Sequence, residues 1–247
     1  MQQQYLEGRR ALAEALNAQV PIERIYVSPA ARKDKIVFDL LKRAKKRGAQ
    51  VVPASNEQLD EHANGHSHQG VIAAIASYEY KDLFHLIKLA QNKKNALIIA
   101  TDHITDAGNL GAIIRSAEVV GAKGVLIPNK RNARVTAATY KTSAGAVAHL
   151  PVAMEANLVR CLERLKDEGF WVVGATEHAD ISLWDAPLSG RIVLVVGSEE
   201  EGLAALSAKT CDLLVRLPQK GKVESLNVAQ ATTVLAYEWM RQCSLEG

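Results

Sequence analysis

Cysteine is scarce in this chain: Cys161, Cys211 and Cys243 are the only three, odd in number and far apart. That excludes a self-contained disulfide framework, and the spacing fits no metal-binding pattern, so reduced thiols of a cytosolic protein are expected. No apolar run reaches the ~18 residues of a membrane span. The opening MQQQYLEGRR lacks the apolar stretch of a secretion signal, and a cytoplasmic location without membrane partners is expected. Neither sign of charge dominates. With 30 Lys and Arg against 27 Asp and Glu, the formal charge of +3 allows a local basic patch for nucleic acid but suits neutral partners equally. A G-x-G-x-x-G fingerprint is also missing, which argues against a dinucleotide enzyme such as a dehydrogenase. There are no internal repeats and no low-complexity segments.

What is present is a balanced globular composition, 48% hydrophobic and 23% charged over 247 residues, long enough for two domains. Residues 1–77 alternate short helical and extended patterns. Gly8 to Asn17 places Ala11, Leu12, Ala15 and Leu16 at helical spacing, and Lys35 to Arg47 places Ile36, Leu40, Leu41 and Ala44 on one face. Strands are expected at Arg24–Ser28, Ala49–Pro53 and Gly70–Ser77, giving a small α/β domain. Residues 78–95 are polar and helix-prone, and are expected to connect the domains. From Ala96 the pattern becomes βα alternation. Strands are expected at Ala96–Asp102, Gly124–Pro128, Trp171–Thr176, Ile192–Gly197 and Leu213–Pro218, with helices at Leu110–Val120, Leu158–Glu168 and Val228–Arg241. Continuous apolar strands of this kind predict a parallel sheet covered on both faces, with ligands at the carboxyl ends of the strands.

Three strand-to-loop segments have compositions unlike ordinary connections. The first runs from Asp102 to Arg115 (DHITDAGNLGAIIR). Asn109 suits the N-cap of the following helix, and Arg115 stands in a small, apolar stretch where it either faces solvent or, if buried, needs an anionic partner. The second is GSEEEG, Gly197 to Gly202, which is either an acidic turn or a place where backbone amides approach a ligand beside Glu199. The third, Leu217 to Val228 (LPQKGKVESLNV), is dense in Gly, Lys and polar groups between apolar elements. Ser225 or Asn227 can cap the last helix there, yet such loops on a rigid scaffold are where function concentrates.

Together, NLGAIIRSA, GSEEEG and LP…G.V.SLNV.QA resemble the three signature motifs of the SpoU-type RNA 2′-O-ribose methyltransferases of the SPOUT superfamily. The resemblance covers nearly the whole chain and is greatest to enzymes that methylate a guanosine ribose of 23S ribosomal RNA. One departure is visible: the family usually has proline where Ala107 follows Asp106. The resemblance implies an α/β fold whose C-terminal segment is threaded into a deep trefoil knot, preceded by a ribosomal-protein-like RNA-binding domain at 1–77, with the catalytic domain at 96–247. It implies S-adenosylmethionine as cofactor, at positions matching Thr176, Gly197, Leu217 and Leu226, and no metal. It also implies a homodimer through the knot region, to which Val228, Ala231, Leu235, Tyr237 and Trp239 of the last helix would contribute.

The implied reaction is attack of a ribose 2′-oxygen on an activated methyl group, for which the protein supplies alignment and help with a proton. Family proposals give the proton to the arginine matching Arg115. A guanidinium is a poor base, so Arg115 is expected instead to orient a nucleotide phosphate and stabilise alkoxide charge, with Asn109, Glu199, Ser225 and Asn227 completing the polar ring. RNA contacts are expected at the basic helix face bearing Lys42, Arg43, Lys46 and Arg47, at His68 in the loop 65–70, and at Lys130, Arg131 and Arg134. His62, His66 and His68 lack the spacing and companion ligands of a metal site. A guanosine of transfer RNA is the rival substrate, and an inactive RNA-binding relative is the rival class.

Overall fold

The computed structural model describes residues 4–63, 68–198, 201–222 and 225–245. It divides into two units, Met1–Glu79 and Tyr80–Gly247. The first contains β1 (Gln4–Glu7), α1 (Gly8–Asn17), β2 (Ile22–Val27), α2 (Lys35–Lys46), β3 (Gln50–Pro53), α3 (Asn56–Asp60) and β4 (Val71–Ile75). Its sheet has the order β1-β4-β2-β3. β4 runs antiparallel to both β1 and β2, while β2 and β3 are parallel. The two helices pack Leu12 and Leu16 of α1 and Val37, Leu40, Leu41 and Ala44 of α2 against Ile25, Val27, Val71 and Ala73.

The buried stripe of α2 is thus 37, 40, 41 and 44, the i, i+3, i+4, i+7 face. Ile36, expected on that face, is 59% exposed. The helix begins where Asp34 accepts from the backbone amides of Ile36 and Val37, and this cap sets which residues turn inward. The opposite sheet face is covered by α3, whose Leu59 is buried with Ala54 and Ile72 beside Tyr5 and Tyr26.

The second unit contains α4 (Leu83–Ala90), β5 (Ala96–Asp102), α5 (Ala107–Val119), β6 (Gly124–Pro128), α6 (Ala137–Thr142), β7 (Val152–Glu155), α7 (Leu158–Asp167), β8 (Trp171–Ala175), β9 (Ile181–Ser182), β10 (Arg191–Gly197), α8 (Ala205–Thr210), β11 (Leu213–Arg216) and α9 (Val228–Leu245). Its seven strands are ordered β7-β6-β5-β10-β8-β11-β9, and every pairing is parallel. All seven residues of β5 are buried, as a strand covered on both faces requires. Ala96, Ile98 and Ala100 face a core shared with α4 and α7. Leu97 and Ile99 therefore point to the other face, since side chains alternate along a strand.

Of residues 78–95, expected as a connection, those from Tyr80 onward belong to this second unit. Leu83, Leu86 and Ala90 of α4 lie in the sheet core, Asp82 caps the helix by accepting from the His85 amide, and Lys81 bridges to Ala153. The flanking Asn and Lys residues hide a short apolar stripe that the sheet buries.

The last helix buries Val228, Ala229, Thr232, Leu235, Ala236 and Trp239 within its own chain, and the Trp239 indole donates to the Gly190 carbonyl at 3.1 Å. Of the apolar residues expected to support a dimer, only half-buried Ala231 and exposed Tyr237 are left outside this stripe. The same helix holds a nearly buried Glu238 in a two-pronged contact with Arg241 at 2.7 and 2.8 Å. That contact pulls its carboxyl below the ordinary glutamate range. A lowered carboxylate stabilises the fold above its unfolded-state pKa and loses that contribution as pH falls through the folded value. Among the described residues no helix is long and apolar enough to cross a membrane.

Candidate active site

Parallel pairing aligns the carboxyl ends of four neighbouring strands. Asp102 of β5 is in register with Gly197 of β10, and Val196 is in register with Ala175 of β8. Ala175 in turn is in register with Val215 of β11. Thr176 and Leu217 therefore follow directly on the same edge, and the Thr176 amide donates to the Val215 carbonyl at 3.0 Å. The edge of a parallel sheet where ligands are expected thus gathers parts of all three loop segments.

A cleft of about 570 Å³ opens at the β5 and β10 end of this edge. The loop after β5 contributes His103, Asp106 and Asn109, the loop after β6 contributes Arg131, the turn after β10 contributes Ser198 and Glu201, and α9 contributes Val228. Asp102 anchors two of these loops. It is 2% exposed, one oxygen accepts from the Ala204 amide at 2.9 Å, and the other meets His103 Nδ1 at 2.6 Å. Asn132 ties a third loop in, since its Oδ1 accepts from the Thr101 hydroxyl at 3.1 Å and the Ile104 amide at 3.0 Å. The turn after β10 closes on itself by paired backbone bonds between Ser198 and Gly202 at 3.1 and 3.0 Å.

Asn109 does not cap α5. Asp106 does, accepting from the Asn109 amide at 2.7 Å, and the helix starts at Ala107. Asn109 is therefore in the first turn, and its side-chain oxygen instead accepts from Asn227 Nδ2 at 2.9 Å. Asn227 does cap α9, its own oxygen accepting from the amides of Ala229 and Gln230 at 3.0 and 3.4 Å. One amide side chain both starts the last helix and links the first and third segments. From the sequence alone, capping and a role in the site stand as alternatives for Asn227; the structure shows the cap and, beside it, the bond to Asn109.

Ala107 is the first residue of α5, the position proline favours in helices. Asp106 has φ −82° and ψ 124°, the extended conformation that a following proline imposes. Ala107→Pro should leave the cleft intact and raise stability by about 0.4–1 kcal/mol through the unfolded chain, read as a higher melting temperature. A fall would show that the Ala107 amide is needed.

Arg115 is exposed on α5 and outside the cleft lining. Six residues beyond Asn109, it lies about 9 Å further along the helix axis, and it forms no ion pair with any described residue. Ser225 and Leu226 are exposed, Leu226 at 45%, while Leu217 and Thr176 are half-buried and Gly197 is buried. Glu199 lies outside the described residues, as does His66.

The basic positions divide by what they touch. Lys42, Lys46 and Lys130 are exposed. Arg43 donates to Asn17 at 2.8 Å and Arg47 to the Leu16 carbonyl, so both are tied to α1. Arg134 is held by the Asn129 carbonyl and Met154 sulfur, whereas Arg131 lines the cleft. His68 accepts from the Gly70 amide at Nδ1, 3.0 Å away, and meets Asp60 through Nε2 at 3.0 Å, while the His62 ring stacks on Tyr5. Among the described residues, no group of three or more His, Cys, Asp or Glu side chains could hold a metal ion. Burial pushes the Cys161 thiol up to about 11 and the Cys211 thiol up to about 12, so neither supplies a thiolate nucleophile at neutral pH.

Sequence reasoning missed Asp102, His103, Asn132 and Ser198. One signal was legible for Asp102: a carboxylate closing the apolar run ALIIAT is costly to bury unless it has partners.

The parallel sheet with its loop-built cleft is shared with known proteins. A SpoU rRNA methylase family model matches residues 96–237. A model for RNA 2′-O ribose methyltransferase substrate binding matches residues 5–81. A putative TrmH family tRNA/rRNA methyltransferase of Bacillus subtilis is 36% identical over 242 residues, covering 98% of this chain and 96% of the relative. An uncharacterized tRNA/rRNA methyltransferase of Synechocystis is 40% identical over 96% of this chain, which spans 62% of that relative's length. The crystal structure of the SpoU methyltransferase AviRb from Streptomyces viridochromogenes, in complex with the cofactor AdoMet, superposes with a TM-score of 0.72 at 25% identity, covering 99% of this chain and 91% of that one. Fold and family matches define the class as an S-adenosylmethionine-dependent RNA methyltransferase. Within it, the chain belongs to the SpoU rRNA methylase family.

Proposed function

We propose that this chain methylates a ribose 2′-oxygen of 23S ribosomal RNA, at a guanosine, in the cytoplasm. The observation that supports it most is the Asn109–Asn227 hydrogen bond, which joins the first and third segments beside the cleft at the carboxyl edge of the sheet. The match of residues 5–81 to a 2′-O-ribose substrate-binding model supports ribose, rather than a base, as the acceptor.

Thr176, Gly197, Leu217 and Leu226 are assigned to the cofactor. Thr176 and Leu217 follow β8 and β11, Gly197 ends the neighbouring β10, and Leu226 stands just before α9. None carries a charge, and the apolar Leu226 side chain is left 45% exposed, which suits an adenine ring. When bound, S-adenosylmethionine supplies an already activated methyl group. Asn109, Asn227, Ser225 and Glu199 are assigned to holding the ribose, and Arg115 to gripping an adjacent phosphate and stabilising the developing alkoxide. The exposure of Arg115 fits a side chain that finds its anionic partner on the substrate. A trefoil knot formed by threading of the C-terminal segment is part of the same reading, supported by the close packing of Gly197 on Gly202 and Leu203. A homodimer is supported by Val119 and Tyr237, which stay 56% and 43% exposed.

Radiolabelled methyl transfer to unmodified ribosomal and transfer RNA, followed by mapping of the methylated ribose, tests this. Label in 23S RNA at a guanosine ribose is expected. Label only in transfer RNA would replace the substrate, and label on a base would overturn the ribose assignment. Lys130, Arg131, Arg134 and His68 are proposed to meet RNA together with the α2 face of Lys42, Arg43, Lys46 and Arg47. Because Arg43 and Arg47 already hold α1, the lysines are the cleaner test. Replacing Lys42 and Lys46 with Glu should raise KM for RNA at unchanged kcat. It should also lower the slope of log affinity against log salt by roughly one for each phosphate no longer neutralised.

A further inference from the structure

Resting on the methyl-transfer reading above, we propose that His103 is the general base that removes the ribose 2′-hydroxyl proton, with Asp102 as its positioning residue. A guanidinium does not fill that role, so the reaction lacks a proton acceptor unless another cleft residue provides one.

Four observations point to His103. It lines the cleft together with Asp106 and Asn109. Its Nδ1 lies 2.6 Å from an oxygen of Asp102, a carboxylate that is 2% exposed and fixed from its other oxygen by the Ala204 amide. An ionised carboxylate only accepts, so Nδ1 carries the hydrogen and the lone pair of the neutral ring sits on Nε2. Among the described residues Nε2 has no hydrogen-bond partner. The backbone also adopts φ +62° at His103, a conformation uncommon for residues other than glycine and one that clusters at functional sites. The Asn132 contact to the next amide holds the loop in that shape.

In the step, the 2′-oxygen forms its bond to the methyl carbon as the carbon–sulfur bond breaks. The 2′-hydroxyl proton passes to Nε2. The positive charge that leaves sulfur is thereby regained on the imidazolium, opposite the Asp102 carboxylate.

The test compares wild type with His103→Asn, which tolerates positive φ but is no base, and His103→Gly, which leaves the backbone unstrained. Both should bind S-adenosylmethionine and RNA with near wild-type affinity in calorimetry. Each should lose about 10²–10⁴-fold in single-turnover methyl transfer. Added imidazole should partly restore His103→Gly. In nitrogen-15 spectra of the wild type, the His103 ring should be the Nδ1–H tautomer at neutral pH. An unchanged rate in His103→Asn, or an Nε2–H ring, would overturn the proposal. A wild type that methylates no RNA would instead overturn the reading on which it rests.

Discussion

Arg115→Ala is expected to lose at least ~10²–10³-fold in kcat, the cost of removing one preorganised group that stabilises developing charge, or about 2.7–4 kcal/mol. The same variant should melt at the wild-type temperature and bind S-adenosylmethionine normally, because Arg115 is exposed and forms no ion pair with any described residue. The two measurements together separate a role on the substrate from a role in folding. Arg115→Lys keeps the charge but loses the planar fork that grips phosphate with two bonds, and should recover only part of the rate. Turnover retained in the alanine variant would remove Arg115 from the site. A rate loss accompanied by a fall in melting temperature would move it into the fold instead.

How much of this was legible in sequence depended on the kind of interaction. The buried strands were plain because a parallel sheet covered on both faces demands unbroken apolar runs such as ALIIA and IVLVV. The α4 stripe of Leu83, Leu86 and Ala90 was not, because it spans only two turns between polar ends. Strand β7 was missed for a related reason. Val152–Glu155 has four residues, two of them only half-buried, on the sheet edge.

At the site, the motifs marked Asn109 and Asn227, but periodicity could not say that Asp106 caps α5 and thereby releases the Asn109 side chain to meet Asn227. A cap is decided by one hydrogen bond, and Asp106 and Asn109 are both good cap residues. His103 was opaque for a deeper reason. Its partnership with Asp102 is between chain neighbours, and nothing in the order Asp-His distinguishes a solvated pair from a carboxylate buried by a loop arriving about a hundred residues later at Ala204.

That arriving loop sets the second large effect. Gly197 ends β10 with no need of positive φ, since it is paired in register with Asp102 as ordinary strand. What it needs is the absence of a side chain. A Cβ there would sit 2.1 Å from both the carbonyl carbon and oxygen of Gly202 and 2.4 Å from the Leu203 amide nitrogen. These are backbone atoms, which cannot swing aside as a side chain does. Gly202 is further fixed by its paired bonds to Ser198, and Ala204 by Asp102. Gly197→Ala must therefore push Gly202, Leu203 and Ala204 off the sheet edge. Overpacking against yielding side chains costs about 1–3 kcal/mol, and this contact lies at or above the upper end. For a unit of this size about 3 kcal/mol corresponds to a fall of roughly 6–12 °C in melting temperature. Because the displaced turn borders the proposed cofactor residues, S-adenosylmethionine affinity should fall in the same variant, unlike in Arg115→Ala. Calorimetry and thermal denaturation on both proteins measure the contrast. If Gly197→Ala kept wild-type stability, the turn would be looser than its paired hydrogen bonds imply, and the cofactor assignment at Gly197 would lose its structural support.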